Sequence, residues 1–442
     1  MKKKYIVLLI CIVCMITPAA AEEQPETIGT YNAGVAGVTT YAFYGFDFEK
    51  YKASPLGLDA IVKNEHEFVK KKEADDFAVV GHSQGGLRAL AFATYLQNND
   101  AARLNKLQAV VTVSGIDQGL KALDGGLPAA NAKIRRDVEI LTDGAYGVLN
   151  ALLPADLLLP LLKYFTGFDE REFNKLGWWL INFILDKHPG LSQWVKPALQ
   201  ATTAAAEQAT LNDYCEIRDM IPQSDFIKQN VIESKPYSYQ VQTGTTRHLG
   251  WERVTNRWGW KYWALRWQYS PVYSTYIGYK HTSKLPENIP MGYIAGTKSN
   301  VLSMAGSKEQ DIRNGLKWGG YIFAIAEGFH IAKCVRIVGL FTGSPRYAAA
   351  CVKAREYCWN FDSRVNNLLG SPEHDGLVAK ESQYIPKTAH KKVLGRTTQG
   401  YTTFNYNHAE IFNYNGTKKP PEDVQKEITS MIEQGKKRRQ EP

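Results

Sequence analysis

The chain has 442 residues, of which 44% are hydrophobic, 22% charged and 12% aromatic, with a formal net charge of +9. This is ordinary globular composition, long enough for a large core or for one domain with a cap. No Lys/Arg-rich tract and no nucleic-acid motif accompanies the positive charge, which argues against a nucleic-acid partner, and no Cys/His spacing resembles a zinc site.

The first element is a segment expected to be removed. Lys2, Lys3 and Lys4 form a basic start, Tyr5 to Ile16 an apolar run, and Ala19-Ala20-Ala21 a small-residue cleavage site. Residues 1–21 therefore read as a signal peptide, which implies a secreted, periplasmic or cell-envelope protein. A retained membrane anchor is the alternative, against which the shortness of the run argues. Loss of the three lysines lowers the net charge to +6, a surplus that favours anionic membrane surfaces or cell-wall polymers. Four cysteines remain, Cys215, Cys334, Cys351 and Cys358, and export would permit some of them to pair, in any of three connectivities.

Residues 22–118 read as the first part of an α/β core. Alternation at Tyr41-Ala42-Phe43-Tyr44 predicts a strand, and helical spacing of Leu58, Ile61, Val62, Phe68 and Val69 predicts a helix over 57–73. Phe77 to Val80 is a buried strand, Leu87 to Gln97 a helix with small alanines at 89, 91 and 93, and Leu107 to Val113 another strand. Strand, helix, strand at this spacing is a βαβ unit and implies a parallel sheet. Residues 119–232 are helical in pattern and strongly apolar around 145–165, broken into short pieces by Pro154 and Pro160. They read either as core helices or as a lid over an acyl pocket. In 233–286, Trp251, Trp258, Trp260, Trp263 and Trp267 alternate with Arg253, Arg257, Lys261 and Arg266, which predicts β-hairpins. Such a sheet either packs its aromatic face on the main domain or docks on lipid or polymer. Residues 287–299 return to the core with the strand Met291 to Gly296, and 300–368 form a second helical insertion. In 369–442, a last strand at Lys392 to Leu394 and a helix near 421–434 precede a frayed polar tail.

The chemistry centres on Gly81-His82-Ser83-Gln84-Gly85, which sits between strand and helix. A G-x-S-x-G turn in that context exposes a serine hydroxyl at the top of a sheet, with glycines where side chains would collide with neighbouring elements. The hydroxyl needs a base to take its proton, usually a histidine oriented by a buried carboxylate. Asp375, in Glu373-His374-Asp375-Gly376-Leu377-Val378, is the best acid, and His408, in Asn407-His408-Ala409-Glu410-Ile411, the best base. Their rivals are Asp362 and Glu373 for the acid and His390 and His374 for the base. His374 is expected at the surface, and His82 as a packing residue beside the elbow.

With those three motifs in order, the chain resembles the bacterial lipase and esterase branch of the α/β-hydrolase superfamily, over about 75–119, 288–297 and 370–412. The resemblance implies an α/β-hydrolase fold, a mostly parallel sheet flanked by helices, here with helical lid insertions and a Trp-rich β insertion. It implies a Ser83–Asp375–His408 triad that hydrolyses carboxylic esters, most readily acyl lipids, through an acyl-enzyme and without metal or organic cofactor. The expected partners are the lipid or ester substrate and a membrane surface touched peripherally. Where the family has Pro-His after the next strand this chain has Ile116-Asp117, a change expected to reshape the pocket floor. One oxyanion donor is the backbone N–H of Gln84. The second has no His-Gly to mark it, and the candidates are Asn32-Ala33-Gly34 and Tyr44-Gly45. An acyltransferase or small-ester esterase would use the same triad, and a non-catalytic lipid- or polymer-binding protein on a degraded scaffold is the reading from another class.

Overall fold

The structure, a computed structural model, describes residues 28–44, 57–152, 215–255, 257–303, 309–335, 344–395, 400–412 and 419–440. The signal segment, Pro154, Pro160 and most of the apolar stretch at 145–165 lie outside these residues. Along the chain come β1 (Ile28–Tyr31), β2 (Thr39–Phe43), α1 (Leu58–Lys72), β3 (Phe77–His82), α2 (Gln84–Asn99), α3 (Ala101–Lys106) and β4 (Leu107–Val113). Next are α4 (Gly126–Leu152), α5 (Cys215–Asp219), α6 (Asp225–Asn230), β5 (Ile232–Thr255), β6 (Lys261–Ser283) and β7 (Met291–Gly296). The chain closes with α7 (Glu309–Val335), α8 (Ser344–Trp359), α9 (Phe361–Leu369), β8 (Thr402–Phe404) and α10 (Glu422–Gln440).

These form an α/β architecture around a six-stranded sheet of order β1-β2-β3-β4-β7-β8, parallel except at the β1 edge. The central strands β3, β4 and β7 are buried along their whole length, which is why their sequences are continuous apolar runs rather than alternations. Alternate residues serve two cores. Tyr41, Phe43, Phe77 and Val79 face α1 and α2, whereas Ala42, Ala78, Val80 and Val111 face α10. Helix α10 meets the sheet with Val424, Ile428, Met431 and Ile432, a stripe at helical spacing. The alanines at 89, 91 and 93 are fully buried and bring α2 close to the sheet.

Helices α4, α7 and α8 pack on one another to form the main helical body outside the sheet. Small residues allow the approach: a Cβ on Gly144 would lie 2.3 Å from Ala354, and one on Gly147 would lie 2.5 Å from the Cys351 sulfur. The strand pair β5–β6 forms its own two-stranded sheet, joined residue to residue from Ile232–Ser283 to Thr255–Lys261.

Several sequence expectations need correction. The last strand is Thr402–Phe404. The Lys392–Leu394 run makes only a single bridge, Val393 to Met291, because the chain turns away after one residue. The helical pattern read from residue 119 onward is not among these: it meets one 27-residue helix, Gly126–Leu152, which ends before Pro154. The polar tail continues the last helix to Gln440, where Lys436 and Arg438 donate to the carbonyls of Ala36 and Val393. The aromatic hairpin does not pack on the main domain: Trp251, Trp263 and Trp267 are exposed. Cys351 and Cys358 are buried free thiols, pushed up to about 11 and about 12 by burial. The side chains of Cys215 and Cys334 lie outside the described set. Among the described residues no helix is long and apolar enough to cross a membrane.

Candidate active site

Ser83 occupies the turn from β3 into α2 with φ 58° and ψ −127°, a backbone conformation that costs an ordinary residue about 1–3 kcal/mol. Three main-chain hydrogen bonds hold it: Ser83 N–H donates to the Val113 carbonyl at 3.2 Å, and the Ser83 carbonyl accepts from Gly86 at 2.9 Å and Ile116 at 3.3 Å. The flanking glycines are required by close approach. A Cβ on Gly81 would lie 2.3 Å from the Gly85 carbonyl oxygen, and one on Gly85 would lie 2.0 Å from that of Phe43.

His408 and Asp375 meet Ser83 from two later loops. His408 Nε2 lies 2.8 Å from Ser83 Oγ, and Nδ1 lies 2.7 Å from Asp375 Oδ2, all three side chains being buried. The second carboxylate oxygen, Oδ1, accepts N–H bonds from Leu377 at 3.0 Å and Val378 at 2.8 Å. Burial raises the Asp375 carboxyl, but the His408 ring and the two backbone donors outweigh it and hold the group below its ordinary value. An ionised carboxylate only accepts, so the neutral imidazole carries its proton on Nδ1 and offers the Nε2 lone pair to the Ser83 hydroxyl. The main chain ties the two loops as well, through the His408 N–H to the Asp375 carbonyl at 2.7 Å.

The motif residues around this trio shape its loops. Asn407 Oδ1 accepts from the N–H groups of Ala409 at 3.0 Å and Glu410 at 2.8 Å, and Glu410 returns a carboxylate oxygen to the Asn407 N–H at 3.2 Å. This reciprocal turn presents His408, while Asn407 Nδ2 donates to Ser303 Oγ and Glu410 pairs with Lys298. His82 stacks on Phe412 with centroids 5.2 Å apart, and its Nε2 donates to the His408 carbonyl at 3.0 Å. Burial pushes His82 down to about 3, so it is neutral.

The rivals are elsewhere. Asp362 pairs with Arg313, and Glu373 with Lys380. His390 is buried with Nε2 on the Ile289 carbonyl. His374 is not at the surface: it is fully buried, its Nε2 donating to Asn366 Oδ1 and its Nδ1 accepting the Gly376 N–H, so it shapes the acid loop. Asp117 lies beside the elbow. Its carboxyl is tucked behind the elbow against Gly86 and Gly115, takes a hydrogen bond from Thr112 Oγ1 at 2.7 Å, and is pushed well up by burial.

Gln84 opens α2, so its N–H belongs to the first turn, where a helix presents donors and its positive dipole end to an anion. The two candidates for the second donor separate by topology. Tyr31 pairs with Thr40 in the antiparallel register, which puts Asn32-Ala33-Gly34 at the opposite end of the sheet, where α10 binds the Ala33 carbonyl through Thr429. Phe43 pairs with Gly81 in the parallel register, so the chain leaves β2 beside the elbow at Tyr44. Gly45 lies outside the described residues.

Two supports gave no sequence signal. Gln383 bridges the Gly296 N–H at 2.8 Å and the carbonyls of Gly296 and Val378, tying the end of β7 to the acid loop. Arg88 on α2 forms a buried ion pair with Glu65 on α1 and donates to the Tyr44 carbonyl. Both join residues distant in sequence, which no local pattern reveals. Among the described residues no three or more His, Cys, Asp or Glu side chains gather as a metal site. A scan against protein-family models finds no match, and comparisons with curated proteins and with solved structures find none either, so the reading of the site rests on its own geometry.

Proposed function

We propose that the chain is a serine hydrolase of the α/β-hydrolase kind that cleaves carboxylic esters, with acyl lipids as substrates. The observation that carries this reading is the unbroken chain from Ser83 Oγ to His408 Nε2 at 2.8 Å and from His408 Nδ1 to Asp375 at 2.7 Å, on a serine held at positive φ. Ser83 Oγ attacks the ester carbonyl as His408 Nε2 takes its proton, and Asp375 stabilises the imidazolium. The Gln84 N–H faces the developing oxyanion. Collapse expels the alcohol, which receives the proton from His408 and leaves Ser83 acylated. Water then attacks the acyl-serine, His408 takes its proton, and collapse returns the proton to Ser83 Oγ and frees the carboxylic acid. The preference for lipid is supported by the resemblance of the three motifs to bacterial lipases and by the apolar segment around 145–165.

A fluorophosphonate probe tests the reaction class. Labelling that vanishes in Ser83→Ala and drops in His408→Ala is the expected result; absence of labelling in the folded wild type, or retained esterase activity in Ser83→Ala, sinks the assignment. Rates across p-nitrophenyl esters of rising chain length separate a lipase from a short-chain esterase.

A further inference from the structure

The distal half of the β5–β6 hairpin takes no part in this chemistry, yet its sequence and register build a specific surface. Residues 245–255 pair one to one with 261–271, a ribbon of about 35 Å at ~3.3 Å per residue. Directly paired side chains share a face. One face therefore carries Leu249, Trp251, Trp263, Leu265, Trp267 and Tyr269, which are 50% to 66% exposed. The opposite face carries Thr246, His248, Glu252, Val254, Arg266 and Gln268. The register shift at Gln242/Gly244 ends the run of aromatic and aliphatic residues that β5 gives to this face: nearer the base β5 offers it Pro236, Ser238, Gln240 and Gln242, while β6 continues it with Tyr273, Ile277 and Tyr279.

Cations are set among the rings. Arg247 and Arg253 lie on the aromatic face, and the Arg247 guanidinium sits 3.9 Å over the Trp267 ring. Between 245 and 271 there are five Lys or Arg residues and one acid, Glu252, which lies on the other face. A second copy docked face to face would bring arginines against arginines. A bilayer interface suits the pattern: indole and phenol rings settle at headgroup depth while guanidinium and ammonium groups reach anionic phosphates. We infer that the distal hairpin docks by its Trp251–Trp263–Trp267 face on the interface of an anionic lipid bilayer. This stands apart from ester hydrolysis, since it uses no residue of the Ser83 site.

Co-sedimentation with vesicles tests it, using the full chain as Ser83→Ala so that lipid hydrolysis does not enter. The expected result is binding to vesicles rich in phosphatidylglycerol and weaker binding to phosphatidylcholine alone. The triple variant Trp251→Ser, Trp263→Ser, Trp267→Ser should lose at least ~tenfold in partitioning while its thermal unfolding stays at the parent's temperature. Replacing Arg247, Arg253 and Lys261 by Gln should remove only the phosphatidylglycerol dependence, at about fivefold per cation. Replacing His248 and Gln268 on the opposite face by Ser should change nothing. Absence of binding to anionic vesicles, or equal binding by the triple Trp variant, overturns the inference. So does lipid-free self-association that the triple variant abolishes, which would assign the face to a second copy.

Discussion

Replacing Asp375 with Asn swaps one carboxylate oxygen for an amide NH2, and the geometry dictates which. Oδ1 accepts two backbone N–H groups, from Leu377 and Val378, and Oδ2 accepts one ring N–H from His408. Turning the NH2 toward the two backbone donors would leave both unsatisfied, at about 1–3 kcal/mol each, so the amide oxygen stays there and the NH2 faces His408. The imidazole must then give up its Nδ1 proton and carry it on Nε2, where it donates toward Ser83 instead of accepting. In a serine-protease triad that tautomer reversal costs ~10⁴ in kcat, or about 5.5 kcal/mol of transition-state stabilisation. The expected result is a loss of that order in the p-nitrophenol burst from a p-nitrophenyl ester, with the thermal midpoint shifted little because the backbone acceptors remain. Activity within ~tenfold of wild type in the folded Asn variant would refute the orienting role of Asp375 and with it the tautomer argument.

Gly85→Ala drives a methyl to 2.0 Å from the Phe43 carbonyl oxygen, so it should destabilise by about 3 kcal/mol or more or fail to fold, read by urea unfolding; a wild-type midpoint would contradict the packing. Arg88→Met strands the buried Glu65 carboxyl, which desolvation already pushes up to about 7 against the pull of Arg88. The loss should be about 3–5 kcal/mol, and a variant as stable as wild type would deny the pair any structural role. His82 is held neutral down to about pH 3, whereas the unfolded chain protonates it near 6.5. Its contribution is therefore full above pH 6.5 and falls as pH drops, by about 2 kcal/mol at pH 5. Urea titrations of wild type and His82→Asn should converge by that amount between pH 7 and pH 5; parallel curves would reject the linkage.

The central strands and the elbow were legible because burial on both faces writes itself as apolar runs, as in Phe77 to Val80 and Leu107 to Val113. The edge strands were not. Ile28–Tyr31 and Thr402–Phe404 face solvent on one side, and short threonine- and glycine-containing segments of that kind look like loop. At the site, Ser83, Asp375 and His408 were marked by the turns that carry them, since each turn needs its own glycine or asparagine. Gln383, Glu65 and Arg88 act across long sequence separations with side chains common anywhere, so nothing local marks them. His374 misled for a related reason: a histidine beside an acid in a polar loop reads as surface, and only the fold reveals that its ring fills the loop's interior.

The irregularity in the hairpin gives β5 one residue of slack. Gln242 pairs with Tyr273 and Gly244 with Val272, so Thr243 is supernumerary, anchored by its hydroxyl 3.1 Å from Ser274 Oγ. Loss of a single residue just beyond it is absorbed by drawing Thr243 into the ladder, with every pair from Leu249–Trp267 to the tip preserved. Gain of a residue has no such outlet and must widen the irregularity. The arm should therefore tolerate shortening at its middle more readily than lengthening, and length variation in this segment should be lopsided toward deletion.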